Sequence, residues 1–504
     1  MLVKRAKVGS STIWNLLGFL LPLVAAVLAF PLLLDRLGGE RVGGLTIITL
    51  VVGFMGLFDF GLGKAQTWFL AKSLQQGYGD RLSGVFWAGV WSVLVLSILQ
   101  GGLLYSFSRE LALVWGGPKV EPGLLREFSR SLEWVALAVP AIMLSPILMG
   151  TLEAFDRFRR INLIRIPIGM CYFLAPAVVS VFSPRLDHAV ISLVVVRALQ
   201  CAGFFLSCTT LMSRFWACRP DLGTVLPLFR FGTLSAISTV ANNLVMHSDR
   251  LIIGRFLGLA IVPFYAIPAE VILRTTILAK SLVSVLFPRF SEQIGHDPTG
   301  AGALLLRGAR ILTFALTVVL FGFVTGGPLF LTVWMGAEFA AEAVPVMDWL
   351  ARGIFLISLS WLAVFFIEAS GRPSWMAGVY LAQLPLYLAV VILTVESIGV
   401  AGVAALWTVR AGLDVFIGYR LSGRIAGQSR SEYLKFFGLV TSVILASWLP
   451  SFTSDPFWRL FLGGGVFLLL LGTLWRWVAE EGEKGKLEDL ARKLVTKLRR
   501  SQTA

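Results

Sequence analysis

Between Ser248 and Phe290 the chain reads SDRLIIGRFLGLAIVPFYAIPAEVILRTTILAKSLVSVLFPRF, a run apolar and long enough for a transmembrane helix. It nonetheless carries Arg250, Arg255, Glu270 and Arg274. A charge at bilayer depth costs about 2.5–3.5 kcal/mol on insertion scales, so such residues pair, snorkel to the interface or do work. Glu270 and Arg274 stand at i, i+4, where a carboxylate and a guanidinium meet on one helical face. Arg410 and Asp414 repeat that spacing, and a structural pair is the simpler reading there. Asp59, in LFDFGLGKA with Lys64 five residues on, can bind a cation, pair with an arginine of another helix or pair with Lys64. Arg197 lies within a further apolar run with no acid near it in sequence; Arg352 and Glu368 share another. No catalytic constellation accompanies these charges. His188, His247 and His296 are scattered, and Cys171, Cys201, Cys208 and Cys218 have no metal or redox spacing. The GxxxxGK[ST] loop of nucleotide hydrolases is missing. Neither a metal nor a cofactor is expected.

The elements that must hold these residues follow from composition. Of 504 residues 57% are hydrophobic and 14% charged, with a mean hydropathy of +0.80. Apolar runs of about 20 residues recur along the whole chain, each long enough for a ~30 Å hydrocarbon core. Such segments must be helices, because lipid leaves backbone groups no outside partner. The expected fold is all-α and polytopic, with fourteen transmembrane helices. The first twelve fall near 12–34, 42–64, 83–106, 132–151, 163–183, 188–211, 226–247, 251–279, 308–331, 346–369, 375–395 and 400–419. Two more fall near 434–452 and 457–478. Summed over alternate connections, lysine and arginine are in excess on one side, which places both termini in the cytoplasm. The net charge of +15 then reflects topology and attraction to the inner leaflet rather than nucleic-acid binding. The start, MLVKRAK before an apolar stretch to Leu34, does not suit a cleavable signal peptide. The outer connection 108–131 reads as a short surface excursion. The tail 480–504, with Leu487, Leu490, Leu494 and Leu498 among lysines and arginines, reads as a basic amphipathic helix on the inner leaflet.

The chain also repeats itself. DRLGGERVGGLTIITL from Asp35 matches GRFLGLAIVPFYAI from Gly254, and aligning Gly38 with Gly258 sets an offset of 220 residues. Six helices then superpose on six, giving lobes 1–212 and 213–425, helices thirteen and fourteen in 426–479, and the tail. An even number of spans per repeat predicts two halves in the same orientation, with a binding site between them near the midplane.

RLGGERVGGL, LFDFGLGKA (57–65), FGTLSAISTVANNLVMHSDRLIIGRFLG (231–258) and FYAIP resemble the Wzx-type polysaccharide flippases. That family is a branch of the multidrug/oligosaccharidyl-lipid/polysaccharide exporter superfamily. Two positions depart from its usual pattern: Val42-Gly43 stands for tyrosine-glycine, and Pro263 for a glycine. The resemblance implies a non-enzymatic transporter of the cytoplasmic (inner) membrane, with two six-helix lobes rocking between inward-open and outward-open forms. The implied cargo is a polyprenyl-diphosphate-linked oligosaccharide, moved from the inner to the outer leaflet. In related lipid II flippases the first, second, seventh and eighth helices line the cavity, and the last two help form a lipid groove.

On that reading Arg250, Arg255, Arg274, Lys64 and Arg197 are cationic stations for the diphosphate, because a guanidinium fork donates to phosphate in pairs. Asp59, Glu270, Arg410 and Asp414 are the coupling or gating candidates. Asn15, Asn242 and Asn243 can bind sugars or hold helices together. Drive would come from an ion gradient (Na+ or H+), the membrane potential or consumption of cargo on the far side. Expected partners are the lipid-linked glycan, membrane lipids and polysaccharide polymerase or ligase components, and the protein is expected to act as a monomer. The alternatives are a lipid II flippase, a cation-coupled multidrug exporter, which would favour twelve spans and cationic cargo, and a membrane polymerase or ligase. The last would carry a large outer loop with catalytic acids or histidines.

Overall fold

The computed structural model describes residues 8–57, 59, 61–76, 82–118, 120–212, 216, 220–453 and 455–478. The tail 480–504, Cys218, the first seven residues and the side chains of Asn15 and Asn242 lie outside the described residues. The protein is an all-helical membrane protein, and ten of the described helices are long and apolar enough to cross a bilayer.

The helices form two compact units, Met1–Arg274 with Ala377–Val403 and Thr275–Met376 with Ala404–Ala504. The first contains α1 (Val8–Leu57), α2 (Leu62–Gln75), α3 (Leu82–Ser106), α4 (Ser108–Gly116), α5 (Pro122–Ala154), α6 (Phe158–Phe182) and α7 (Leu186–Thr209). It continues with α8 (Leu222–His247), α9 (Asp249–Phe256) and α10 (Val262–Leu273). The second contains α11 (Ile277–Gln293), α12 (Pro298–Met335), α13 (Ala337–Ala369), α15 (Arg430–Ala446) and α16 (Pro456–Val478). Helix α14 (Pro373–Ala426) contributes to both and breaks at Gly399.

Three local readings of the sequence are corrected. Ser248–Phe290 is not one helix. Helix α9 continues α8 to Phe256, Gly258 breaks the chain at φ 101 and ψ 157, and a 3-10 turn at Leu259–Ile261 starts the next span. A second 3-10 turn, Arg274–Thr276, divides α10 from α11. Arg250 and Arg255 therefore lie before the break, at the end of the helix that α8 begins, instead of opening the helix after it. Second, the stretch 108–131 is mostly helix: α4 followed by the start of α5, with Pro122 in the first turn, where a missing N–H costs nothing. Third, Asp59 sits in a turn between α1 and α2, not inside a helix, and caps α2 by accepting from the Gly61 and Gly63 N–H groups at 2.8 and 3.2 Å.

The repeated motif has a physical counterpart. Gly38 breaks α1 at φ 77 and ψ 163, close to the values at Gly258. Side chains strongly disfavour this region, so glycine is needed at these two joins. Gly117 and Gly336, which join α4 to the loop before α5 and α12 to α13, take similar values and lie at nearly the same offset. Pro263, one of the departures from the family pattern, falls in the first turn of α10, where its fixed φ suits the helix. Gly43 packs its backbone against the Leu259 carbonyl, leaving no room for a Cβ.

Candidate cavity around Arg250

The first unit encloses a cavity of about 280 Å3. Beyond Gly38, α1 presents Val42, Thr46, Thr49 and Gly53 to it, a spacing of three to four that keeps them on one helical face. Before Gly38, Phe30 and Leu33 add an apolar wall, and Tyr172 and Phe173 of α6 add an aromatic one. The polar side comes from Asn243 and His247 of α8, Arg250 of α9 and Glu270 of α10.

Arg250 is only 9% exposed, and among the described residues it has no hydrogen-bond or ion-pair partner. Its neighbour Asp249 points elsewhere. Asp249, 0% exposed, accepts a hydrogen bond from the Tyr265 hydroxyl at 2.6 Å and another from the Tyr387 hydroxyl at 2.5 Å. Its carboxylate is thus held by tyrosines on α10 and α14, while the Arg250 guanidinium lines the cavity.

Glu270 forms the expected i, i+4 ion pair with Arg274, both about a quarter exposed, and Arg274 also lies 6.0 Å from the centre of the Phe173 ring. Arg197 of α7 stands behind the aromatic wall. Its guanidinium is 4.7 Å from the centre of the Tyr172 ring and donates to Gln200 at 2.9 Å. Arg250, Glu270, Arg274 and Arg197 therefore form one neighbourhood. Arg255 and Lys64 are exposed and do not line the cavity, and Asp59 is engaged at the α2 terminus.

The second unit holds the other charges. Arg410 donates to Asp414 at 3.0 Å, both nearly fully buried. Arg352 is 0% exposed. It donates to the Ser447 hydroxyl and carbonyl at 3.0 and 2.7 Å, the Ser451 hydroxyl at 2.8 Å and the Asp348 carbonyl at 2.8 Å. The Asp348 carboxylate pairs with Arg459 of α16, which also donates to the Val324 carbonyl at 2.8 Å. Glu368 is exposed.

Sequence reasoning passed over Asp249, Tyr265, Tyr387, Asp348 and Arg459. One signal was available: Asp249 stands beside Arg250 in the same apolar run.

The family model described as "Polysaccharide biosynthesis protein" matches residues 37–345, from the first glycine break to α13. The chain belongs to that family. Within the polysaccharide biosynthesis family it is similar to the "Putative O-antigen transporter" of Shigella flexneri, 26% identical over 411 residues, covering 81% of this chain and 96% of the relative. It is also similar to the "Succinoglycan biosynthesis transport protein ExoT" of Rhizobium meliloti (strain 1021). That match is 25% identical over 337 residues, covering 64% of this chain and 61% of the relative. Among solved structures, "Lipid II flippase MurJ, inward closed conformation" aligns with a TM-score of 0.71 at 14% identity, over 92% of this chain and 99% of that one. At that identity the likeness concerns the fold alone.

Proposed function

We propose that the protein is a flippase that carries a polyprenyl-diphosphate-linked oligosaccharide from the inner to the outer leaflet of the cytoplasmic membrane by alternating access. The relatives are named transporters, which supports a transporter over a polymerase or ligase. The observation that carries the reading is Arg250: a nearly buried guanidinium with no hydrogen-bond or ion-pair partner among the described residues, facing a cavity with aromatic walls. A charge in such a place is favourable only when an anion joins it, and a diphosphate suits the guanidinium fork. Arg274 is the second station, released when Glu270 swings aside, with Arg197 behind it. Arg255 and Lys64 act at the cavity's approaches, and Asp59 and the Arg410–Asp414 pair serve structure or gating.

The finer architecture belongs to the same proposal. Counting the two arms of α1 and of α14 separately favours fourteen spans, with both termini cytoplasmic. The lobes 1–212 and 213–425 are the repeat along the sequence, followed by helices in 426–479. Drive comes from Na+, H+, the membrane potential or removal of cargo by a polymerase or ligase, and the protein acts as a monomer. A cation-coupled drug exporter is the second reading, and an unpaired arginine in the cavity disfavours its cationic cargo.

Transport in proteoliposomes tests the proposal. Arg250→Ala should lower flipping of a lipid-linked oligosaccharide at least about tenfold, the worth of one charge-assisted hydrogen bond. Wild-type flipping in that variant, or transport of lipophilic cations in its place, would overturn it.

A further inference from the structure

The second unit has a groove of its own, about 590 Å3 in volume and distinct from the Arg250 cavity. Pro328 and Thr332 of α12 form one side, Asp348 and Trp349 of α13 the next, and Trp448 and Phe452 with Arg459 of α16 the third. Its size lies within the ~300–1,000 Å3 of small-molecule clefts.

The Asp348–Arg459 ion pair, itself nearly buried, lies along the groove. The Ser451 hydroxyl accepts from Arg352 at 2.8 Å, and one oxygen of the Asp348 carboxylate has no hydrogen-bond partner among the described residues. Trp349 and Trp448 meet edge to face, ring centres 4.6 Å apart, and the inner face of Trp448 is covered by Arg352, 3.8 Å from the ring centre. Phe452 is 82% exposed at the rim.

These groups select a ligand by chemistry. A phosphate would meet the repulsion of Asp348 beside an arginine that Asp348 already neutralises, so the groove is a poor anion site. A lipid tail would offer no donor to the unpartnered Asp348 oxygen and no partner to the hydroxyls of Ser451 and Thr453. A neutral sugar meets neither objection. Its hydroxyls donate to a carboxylate and accept from a guanidinium, while its C–H face packs on indole and phenyl rings. We propose that this groove is a glycan-binding site that takes a neutral sugar ring. It rests on the flippase reading only in naming the cargo's own oligosaccharide as the source of that ring.

Saturation-transfer NMR on the full chain in phosphatidylcholine nanodiscs tests this with free D-glucose, D-galactose, D-mannose, L-rhamnose and N-acetylglucosamine. At least one sugar should show saturable transfer, weakened about tenfold in Asp348→Asn through the lost charged hydrogen bond. Phe452→Ala, at an exposed rim position with little bearing on folding, should weaken it as well. Arg250→Ala should leave it unchanged, so a lost groove and a lost transport cavity give different results. The proposal is overturned if no sugar shows transfer, if both groove variants bind as the wild type does, or if pyrophosphate or glycerol phosphate displaces the sugar. The last two displacements would mark an anion or lipid-headgroup site instead.

Discussion

Gly38 and Gly258 take nearly the same backbone conformation, φ 77 with ψ 163 and φ 101 with ψ 157, at matching positions of a sequence repeat. Each joins two membrane helices with almost no loop. A Cβ at either site would meet nothing within 4 Å, so a substitution costs backbone strain and not a clash.

Gly258→Ala and Gly38→Ala should each destabilise the protein by about 1–3 kcal/mol, the cost of placing a side chain in that region. Thermal unfolding in detergent should show a lower midpoint for both. Gly53→Ala, where nothing crowds a Cβ and φ is ordinary, is the control that should change little.

Tyr387 and Tyr265 share one buried carboxylate, Asp249. Tyr387→Phe removes a hydrogen bond to a charged group and should cost about 1.5–3 kcal/mol, read as a lower unfolding midpoint. Stability equal to the wild type would mean that the carboxylate is satisfied without that hydroxyl.

Arg459→Met leaves the Asp348 carboxylate buried beside Arg352 without its ion-pair partner. Removing one member of a buried pair costs about 3–5 kcal/mol, whereas replacing both with apolar residues can be close to neutral. The double variant Asp348→Leu with Arg459→Met should therefore melt nearer the wild type than Arg459→Met alone. A double variant less stable than either single one would contradict the pairing.

How much of this could be read from sequence depended on the range of the interactions. The membrane class, the Gly38–Gly258 correspondence and the Glu270–Arg274 and Arg410–Asp414 pairs are local or periodic, and each is visible within a few residues or at one fixed offset. The break at Gly258 was harder to see, because the apolar run continues through it and glycines are common in membrane helices. Reading the run as one helix put Arg250 at the head of the eighth span. The tyrosines around Asp249 and the Asp348–Arg459 pair come from elements far apart in the chain, and no spacing announces them. The seat of Arg250 follows from that same missing information: only the assembled helices show that it faces the cavity with no hydrogen-bond or ion-pair partner among the described residues.

The most direct test of the account is binding of undecaprenyl diphosphate to the purified wild type and to Arg250→Ala, Arg250→Lys and Arg255→Ala. The wild type should bind the diphosphate well above undecaprenol. Arg250→Ala should lose about tenfold or more in affinity, Arg250→Lys should recover part of it, and Arg255→Ala should lose less. Equal affinity for diphosphate and alcohol, or diphosphate binding unchanged by Arg250→Ala, would contradict a cavity built around that arginine.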